Sequence, residues 1–263
     1  MKSMNHQPMR QYFYLALLTL MLGWSVRNLT IVELEDEFVE FMIAQSDFKW
    51  RGEKTLDAVI EYTKVISKFT EPRREFADAN GLTGKDGLLD SSPIVASLAY
   101  GGGACGYATE VGVRFFELCG FDVRFVQVLN SSRKTNHVVL DVELSDGSYV
   151  TVDPIFGHVF VNTKGLPYNY EQMSSEWHEL RSELPESKIR RYSYVNGVQF
   201  TNWSKNIVTR SLKTVLTQCN VKTDVVSMRI YLNKARRIAP KIIFCVSLLF
   251  GFLMIQNSAV RQN

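Results

Sequence analysis

The sequence predicts an α+β domain that is flanked at both ends by apolar helices. Two observations lead to this fold class. A segment with helical spacing runs from Cys105 to Cys119, and three alternating, strand-like segments follow it. A Ser-Asp-Gly-Ser turn separates the last two strands. One helix followed by neighbouring strands gives an antiparallel sheet with the helix packed against it.

Length and composition allow a sizeable core and limit the function classes. The chain has 263 residues, of which 46% are hydrophobic. A net charge of +3 gives no reason to expect a nucleic-acid partner. Four cysteines do not make a disulfide framework in a chain of this length. Cys105 and Cys119 lie about 21 Å apart along one helix, too far to form a disulfide.

Two uncharged runs, at residues 12–26 and 242–255, are apolar enough to enter a membrane. Each is shorter than the roughly 20 residues of an ordinary span. We interpret the first as an uncleaved anchor, with a signal peptide as the alternative, although no A-x-A site follows it. We interpret the second as a transmembrane or in-membrane helix, with a buried core helix as the alternative.

The charges around the two runs give opposite orientations. Lys2 and Arg10 precede the first run and acidic residues follow it, which favours an extracytoplasmic domain. The second run follows a basic stretch that would prefer the cytoplasm: Arg229, Lys234, Arg236, Arg237 and Lys241. The first helix usually dominates, so we expect an extracytoplasmic domain. The basic stretch could instead rest on anionic lipid headgroups in either leaflet.

These features divide the chain into five parts. We expect an anchor or uncleaved signal at 1–30, a helical part of the domain at 31–92 and a core at 93–160. A mixed extension follows at 161–238, with a hairpin predicted at its Asn196-Gly197 dipeptide. A membrane helix at 239–257 completes the prediction.

The glycine-rich segment before Cys105 fits two kinds of site. Gly101, Gly103 and Gly106 match the spacing of a dinucleotide-binding loop. That loop needs a strand before it and an acidic residue about 20 positions later, where Asn130 stands here. We therefore expect no cofactor. A plain tight turn before a helix is the simpler alternative.

Cys105 has the setting of a reactive thiol. A cysteine in the first turn of a helix lies near unpaired amide groups and the positive end of the helix dipole, which favour the thiolate. The preceding glycines let a substrate backbone approach closely. A nucleophile also needs a base and a group that orients the base. His137 on the second strand and Asp153 on the third are the candidates.

The segments "GGGACGYATEVGVRFFELCGFDVRFVQV" and "NHVVLDVELSDGSYVTVDP" resemble the transglutaminase-like superfamily of thiol enzymes. The resemblance implies a papain-like core with Cys105 as nucleophile, His137 as base and Asp153 as orienting group. One position departs from the family pattern: Val139 stands where many members have an aromatic residue. Supporting matches occur at Gly120, Arg124, Gly147, Tyr149 and Pro154.

The substrate and oxyanion region is expected around the nucleophile. The backbone N–H of Cys105 is the candidate oxyanion donor. The other residues assigned to this region are Gly102, Gly103, Ala104, Gly106 and Asn136.

Other interpretations of these residues stay open at this point. His158, past the third strand, and His178, on a predicted surface helix, are rival bases. A metal site is disfavoured because the candidate ligands lack tight spacing. Asp153 before a proline is also typical of a turn. Gly112, inside the helical pattern, is expected to mark a close packing contact.

The turn between the second and third strands tests the triad. A two-residue turn at Asp146-Gly147 would place Asp153 opposite Leu140, on the other face from His137. A three-residue loop would place Asp153 opposite Asp141, on the face of His137. The triad therefore predicts a three-residue loop or a bulge.

The expected function is that of a membrane-associated, thiol-dependent acyl-transfer enzyme, either an amide or peptide hydrolase or a transamidase. Its acyl substrate would be a peptide, a protein or an envelope polymer precursor, and the lipid bilayer is its other partner. The alternative is a non-catalytic, membrane-anchored binding or assembly module. Hydrogen-bond reach between Cys105 and His137 favours the enzyme, whereas a sealed cysteine favours the module.

Overall fold

A computed structural model of the chain describes residues 7–45, 52–70, 94, 105–183 and 193–260. Its helices are α1 Gln7–Ala44, α2 Leu56–Thr70, α3 Cys105–Leu118, α4 Tyr170–Ser175, α5 Trp177–Glu183, α6 Ile207–Gln218 and α7 Met228–Val260. Its strands are β1 Val123–Leu129, β2 Thr135–Glu143, β3 Tyr149–Asp153, β4 His158–Val159 and β5 Val198–Gln199. The fold class is α+β, as predicted.

The chain divides into two compact units. The first comprises residues 1–34 and 232–263, and the second comprises residues 35–231. The predicted boundaries at residues 30 and 239 do not coincide with helix ends, since α1 and α7 each continue across them.

The first unit contains the apolar parts of α1 and α7. Segments 12–44 and 228–256 are long and apolar enough to cross a membrane. Inside this unit the two helices touch, with the rings of Tyr14 and Phe250 6.2 Å apart. A side chain at Gly251 would lie 3.2 Å from Leu18, so the glycine permits this approach. The two helices therefore indicate membrane association.

The second unit is built on one antiparallel sheet with the strand order β4-β3-β2-β1-β5. Helices α2 and α3 pack on one face, where alternate strand residues such as Phe125, Leu140 and Val152 are fully buried. The helices contribute an aromatic cluster to this core. It comprises Tyr62, Phe115, Phe116 and Phe121.

The opposite face of the sheet has its own core. Val126, Val128 and Val139 alternate with the first set and therefore point the other way. Aromatic residues from α5 and the segment before β5 cover them, and the rings of Trp177 and Tyr194 lie 4.6 Å apart. Both faces of the central strands are thus buried.

Helix α3 ends where the sequence predicts. Gly120 has a φ of +86°, which an L side chain rarely adopts. The amide of Phe121 donates to the carbonyl of Phe116, and the amide of Gly120 donates to that of Glu117. This pair of bonds is the Schellman arrangement of a glycine-terminated helix. It turns the chain directly from α3 into β1.

Gly112 lies where α3 crosses the sheet. A Cβ atom at this position would lie 3.0 Å from Leu140 Cδ1 and 3.2 Å from Pro154 Cγ. The close packing contact expected at Gly112 is confirmed.

The β2–β3 connection is a three-residue loop, as the triad requires. Leu144 N donates to Ser148 O at 2.8 Å, so residues 145–147 form the loop. Gly147, the last of them, has a φ of +80°. The register pairs Leu140 with Val152, which places Asp153 opposite Val139. The prediction that Asp153 lies opposite Asp141 was wrong. The loop ends at Gly147, which can take positive φ, so the whole loop lies one residue earlier in the chain than predicted.

The hairpin predicted at Asn196-Gly197 was also wrong. A turn is present, with Gly197 at a φ of +90°. The two residues that follow it, Val198 and Gln199, pair with β1 at the edge of the sheet. Tertiary pairing with β1 therefore takes the place of a local hairpin.

Candidate active site

Helix α3, which begins at Cys105, contacts the backbone of β2 just beyond the end of β3. Continuing the β2–β3 register would bring Pro154 opposite Val138. Proline has no amide hydrogen and cannot continue the ladder. The Val138 carbonyl instead accepts a hydrogen bond from Thr109 Oγ1 at 3.2 Å. The Val138 backbone also lowers the pKa of the Cys105 thiol.

Thr109 fixes the first turn of α3 against β2. Its hydroxyl also lies 2.5 Å from the carbonyl oxygen of Cys105, one turn earlier on the helix. The side chain is fully buried. One hydroxyl thus joins the backbone of the cysteine to the residue that follows His137, and the two functional groups are held in one place.

His137 and Asp153 form a buried pair on the second core's face of the sheet. His137 Nε2 lies 2.6 Å from Asp153 Oδ2, and neither side chain has any exposed surface. Asp153 lies opposite Val139, so His137 is its diagonal neighbour across β2 and β3. A bulge in β2 falls at Asn136, just before His137. Such a bulge can redirect the adjacent side chain.

Cys105 is the neighbour of this pair at the start of α3. Asp153 takes Nε2 of the imidazole. The Cys105 side chain is partly buried, and the proximity of His137 lowers the pKa of its thiol. The order of the three groups is therefore Cys105, His137, Asp153.

The electrostatics of this arrangement favour an ion pair. Burial raises the pKa of Cys105, but the hydrogen bond and charge of His137, with the Val138 amide, outweigh it and lower that pKa overall. Burial lowers the pKa of His137, but the charge and hydrogen bond of Asp153 raise it to about 9. At neutral pH these shifts favour a thiolate beside an imidazolium.

An aromatic ring packs against the imidazole, although not at residue 139. Phe156 lies with its ring centroid 5.9 Å from that of His137. Val139 points into the core below the sheet and is fully buried. The apolar cover of His137 thus comes from the loop after β3.

Arg229, at the start of α7, packs beside the first turn of α3. It forms an ion pair with Glu110, which is 8% exposed, and its guanidinium lies 4.7 Å from the ring of Phe125. A Cβ at Gly106 would lie 3.7 Å from its nitrogens. Gly106, predicted to belong to the substrate region, is therefore covered on one side by a cation.

Arg124, which is partly exposed, and the fully buried Asp141 form a second ion pair in the sheet, at 2.9 Å. Thr151 donates to the same carboxylate at 2.7 Å, and the guanidinium stacks 3.7 Å from the centre of the Tyr149 ring. Burial raises the pKa of Asp141 despite these partners. The pair ties β1, β2 and β3 together, so Arg124 and Tyr149 are structural here.

The remaining predicted residues are placed as follows. Gly102, Gly103 and Ala104 lie outside the described residues. Asn136 is exposed. His158, at the start of β4, is the backbone register partner of Asp153 on β3, and its ring packs against that of Phe160 with the centroids 4.7 Å apart. His178 is exposed on α5. Asp153 hydrogen-bonds to His137, so the turn interpretation of that aspartate does not describe its side chain.

Sequence reasoning did not place several residues at the site, although Arg229 was noted as part of a basic stretch. Thr109, Phe156 and Arg229 each act through a partner distant in the chain or across a loop. Pro154 was noted as a family match, but its effect on the Val138 backbone needed the sheet register. No group of metal ligands occurs within the described part of the chain.

No protein-family model and no curated protein matches the chain. Among solved structures, it is similar to Rad4–Rad23 crosslinked to an undamaged DNA, with a TM-score of 0.37 and 13% identity over 91% of this chain and 60% of that one. It is also similar to Rad4–Rad23 bound to a 6-4 photoproduct UV lesion, with a TM-score of 0.36 and 13% identity over 92% and 59%. The chain thus spans about 60% of the length of the first of these chains. Likeness at this level does not establish a shared fold.

Proposed function

We propose that this chain is a membrane-associated, thiol-dependent acyl-transfer enzyme with a Cys105–His137–Asp153 triad on a transglutaminase-like, papain-like core. The observation that carries the proposal is the fully buried His137–Asp153 pair, 2.6 Å apart, with Cys105 against the same imidazole. A buried ion pair used only for stability does not need a partly exposed thiol as its third member.

The chemistry follows from the order of the three groups. The Cys105 thiolate attacks the carbonyl carbon of an amide or ester, and a C–S bond forms. The backbone N–H of Cys105 donates to the oxyanion. The His137 imidazolium gives its proton to the leaving amine or alcohol as the C–N or C–O bond breaks. A thioester on Cys105 remains.

The second half-reaction releases the acyl group. Neutral His137 takes a proton from an incoming water or amine, which attacks the thioester, and the thiolate leaves. Water makes the enzyme a hydrolase, and an amine makes it a transamidase. Asp153 orients the imidazole and stabilises the imidazolium whenever it forms. We propose a peptide, a protein or an envelope polymer precursor as the acyl donor.

The setting of the enzyme is the membrane. The two apolar helices support attachment. Lys2 and Arg10, before the first apolar run, support an extracytoplasmic domain. A membrane-impermeant maleimide applied to intact cells tests the side, because it reaches Cys105 only from outside. Cys105→Ala supplies the background labelling.

An acyl-enzyme trap tests the proposed reaction. The full-length chain is incubated with a panel of peptide thioesters and activated amides, quenched in acid and examined by mass spectrometry. We expect an acyl adduct on Cys105 that is absent from Cys105→Ala. If the enzyme is a transamidase, this adduct should disappear faster when an amine is added. An adduct on Cys119 with equal yield, or no adduct at all, would favour the binding-module alternative.

A further inference from the structure

Helix α6 has an exposed apolar face that none of the described residues of the second unit covers. None of its twelve residues is buried. Ile207, Val208 and Val215 are 72%, 70% and 52% exposed, and helical spacing places them on one side. Leu212 and Leu216, partly buried, turn toward the domain. Ser211 and Gln218 lie between these three aliphatic side chains, so the face is apolar with a polar interruption and is suited to a boundary between an apolar and a polar phase.

The charge of this segment is of one sign. Residues 203–223 contain Lys205, Arg210, Lys213 and Lys222 but no aspartate or glutamate. Asp224 lies 3.8 Å from Lys213 and is the acidic residue that faces this helix. No acidic residue follows Asp224, while six more basic residues do. The partner must therefore be apolar and negatively charged.

A surface cavity lies beside the apolar face. It measures about 550 Å³ and is lined by Trp203, Arg210, Lys213, Thr214, Thr217 and Gln218, among others. Two cations in one concave surface suit a phosphate group. The hydroxyls of Thr214 and Thr217 donate to the helix carbonyls of Arg210 and Lys213. Trp203 donates its indole N–H to Thr223 O at 3.1 Å, which fixes the ring at the cavity wall. Tryptophan is typical of the membrane–water interface.

The position of α6 in the chain identifies the partner. Nine residues, 219–227, separate it from α7, which contains a candidate membrane span. A cationic amphipathic helix close to a membrane helix along the chain is suited to lie in the bilayer surface. We propose that α6 is an interfacial helix that binds anionic phospholipid, with aliphatic residues among the acyl chains and lipid phosphate at Arg210 and Lys213. This proposal is independent of the triad.

Site-directed spin labelling of the full-length chain in nanodiscs tests the proposal. The native cysteines are replaced by serine, and single nitroxides are placed at residues 208 and 215, with residue 217 on the cavity side as the matched control. Discs contain phosphatidylcholine alone or with phosphatidylglycerol. We expect a several-fold higher ratio of oxygen to nickel-chelate collisions at 208 and 215 than at 217 in the anionic discs. The R210Q/K213Q variant should lose most of that contrast.

Equal collision ratios at all three positions in anionic discs would overturn the proposal. Dipolar broadening between labels on two chains would place a second copy on this face and would overturn it as well. A second measurement protects against misfolding of the cysteine-free chain. In the chain with its native cysteines, the emission of Trp203 is obtained as the difference between wild type and Trp203→Phe. Brominated phosphatidylglycerol should quench this emission more than brominated phosphatidylcholine does. No difference between the two lipids would contradict lipid binding at the cavity.

Discussion

His137 Nε2 lies 2.6 Å from Asp153 Oδ2, and both side chains are fully buried. The contact is possible because the β2–β3 loop has three residues and places Asp153 opposite Val139, on the face of His137. The charge of Asp153 raises the pKa of His137 against the effect of burial.

Asp153→Asn should separate the charge of this pair from its shape. The amide keeps the size of the carboxylate and an oxygen that can accept from Nε2–H, but it removes the negative charge. The pKa of His137 should fall, which disfavours the imidazolium–thiolate form. Alkylation of Cys105 at neutral pH should slow by about tenfold or more, since a fall of one pKa unit, about 1.4 kcal/mol, is tenfold in that equilibrium. NMR titration of the His137 ring and iodoacetamide kinetics measure the two effects.

Asp122→Asn is the matched control for this substitution. Its carboxylate is largely exposed and lies 3.6 Å from Lys54 at the surface. The control should change neither the histidine titration nor the alkylation rate. An Asp153→Asn variant that behaves like the control would show that the buried carboxylate does not tune His137.

Stability should depend on pH differently in wild type and Cys105→Ser. The raised pKa of His137 gives stability that is present below about pH 6.5 and is lost as pH rises toward about 9. The lowered pKa of Cys105 acts in the opposite sense and gives stability that is lost as pH falls through the folded-state pKa. Where the folded state holds its proton on His137 and the unfolded state holds it on Cys105, each state of wild type has one proton on this pair, so the pair adds no pH dependence there.

Cys105→Ser removes the thiol half of this balance. Its free energy of unfolding should fall as pH rises above about 6.5, with a slope of up to about 1.4 kcal/mol per pH unit. Denaturant titrations of the full-length chain in detergent at several pH values measure the slope. Parallel profiles for wild type and Cys105→Ser would contradict the ion pair.

Thr109→Val should weaken the site without changing its shape. The substitution removes the hydroxyl that reaches Val138 O and Cys105 O, and it leaves the buried Val138 carbonyl without that donor. We expect a loss of about 1–3 kcal/mol in stability. The alkylation rate of Cys105 should fall as well, with its pH profile moved upward.

Thr109→Ser keeps the hydroxyl and should restore the pH profile. If Thr109 served packing alone, serine, which lacks the methyl group, would fail to restore it. A valine variant with the wild-type pH profile would rule out the positioning role while leaving the triad intact.

Gly112→Ala should disturb both the core and the site. The new methyl group would meet Leu140 and the ring of Pro154, which adjoins Asp153. Alanine favours a helix by about 1 kcal/mol over glycine, but overpacking a buried contact costs about 1–3 kcal/mol. We expect a net loss in thermal stability. Gly106→Ala, where the nearest atoms lie at 3.7 Å, should cost no stability, and equal melting temperatures for the two variants would contradict the packing argument.

The elements of the core follow from local signals in the sequence. Apolar spacing predicts α3, Gly120 predicts its end, and alternation predicts β1, β2 and β3. The constraint on the β2–β3 turn follows from the two-residue period of a strand. The loop position was missed by one residue, because the conformational demand on Gly147 decides where the loop ends.

Contacts between distant segments could not be predicted from one sequence. Arg229 and Glu110 are 119 positions apart, and neither local spacing nor charge pattern links them. The bond from Thr109 to Val138 depends on the absence of a strand partner at Pro154. The edge pairing of β5 with β1 overrides a local turn signal at Asn196-Gly197. Each of these contacts is decided by tertiary packing.

The pH dependence of Cys105 alkylation tests the triad most directly. Iodoacetamide rates are measured by mass spectrometry from about pH 4 to 10 in the full-length chain, with Cys119, at the other end of α3, as the internal reference. The triad predicts that Cys105 reacts faster than Cys119 at neutral pH, with an inflection well below the ordinary thiol value of about 8.5. His137→Gln should move that inflection above 8.5, because burial then acts without the imidazolium. A wild-type inflection at or above 8.5 that His137→Gln leaves unchanged would contradict the triad.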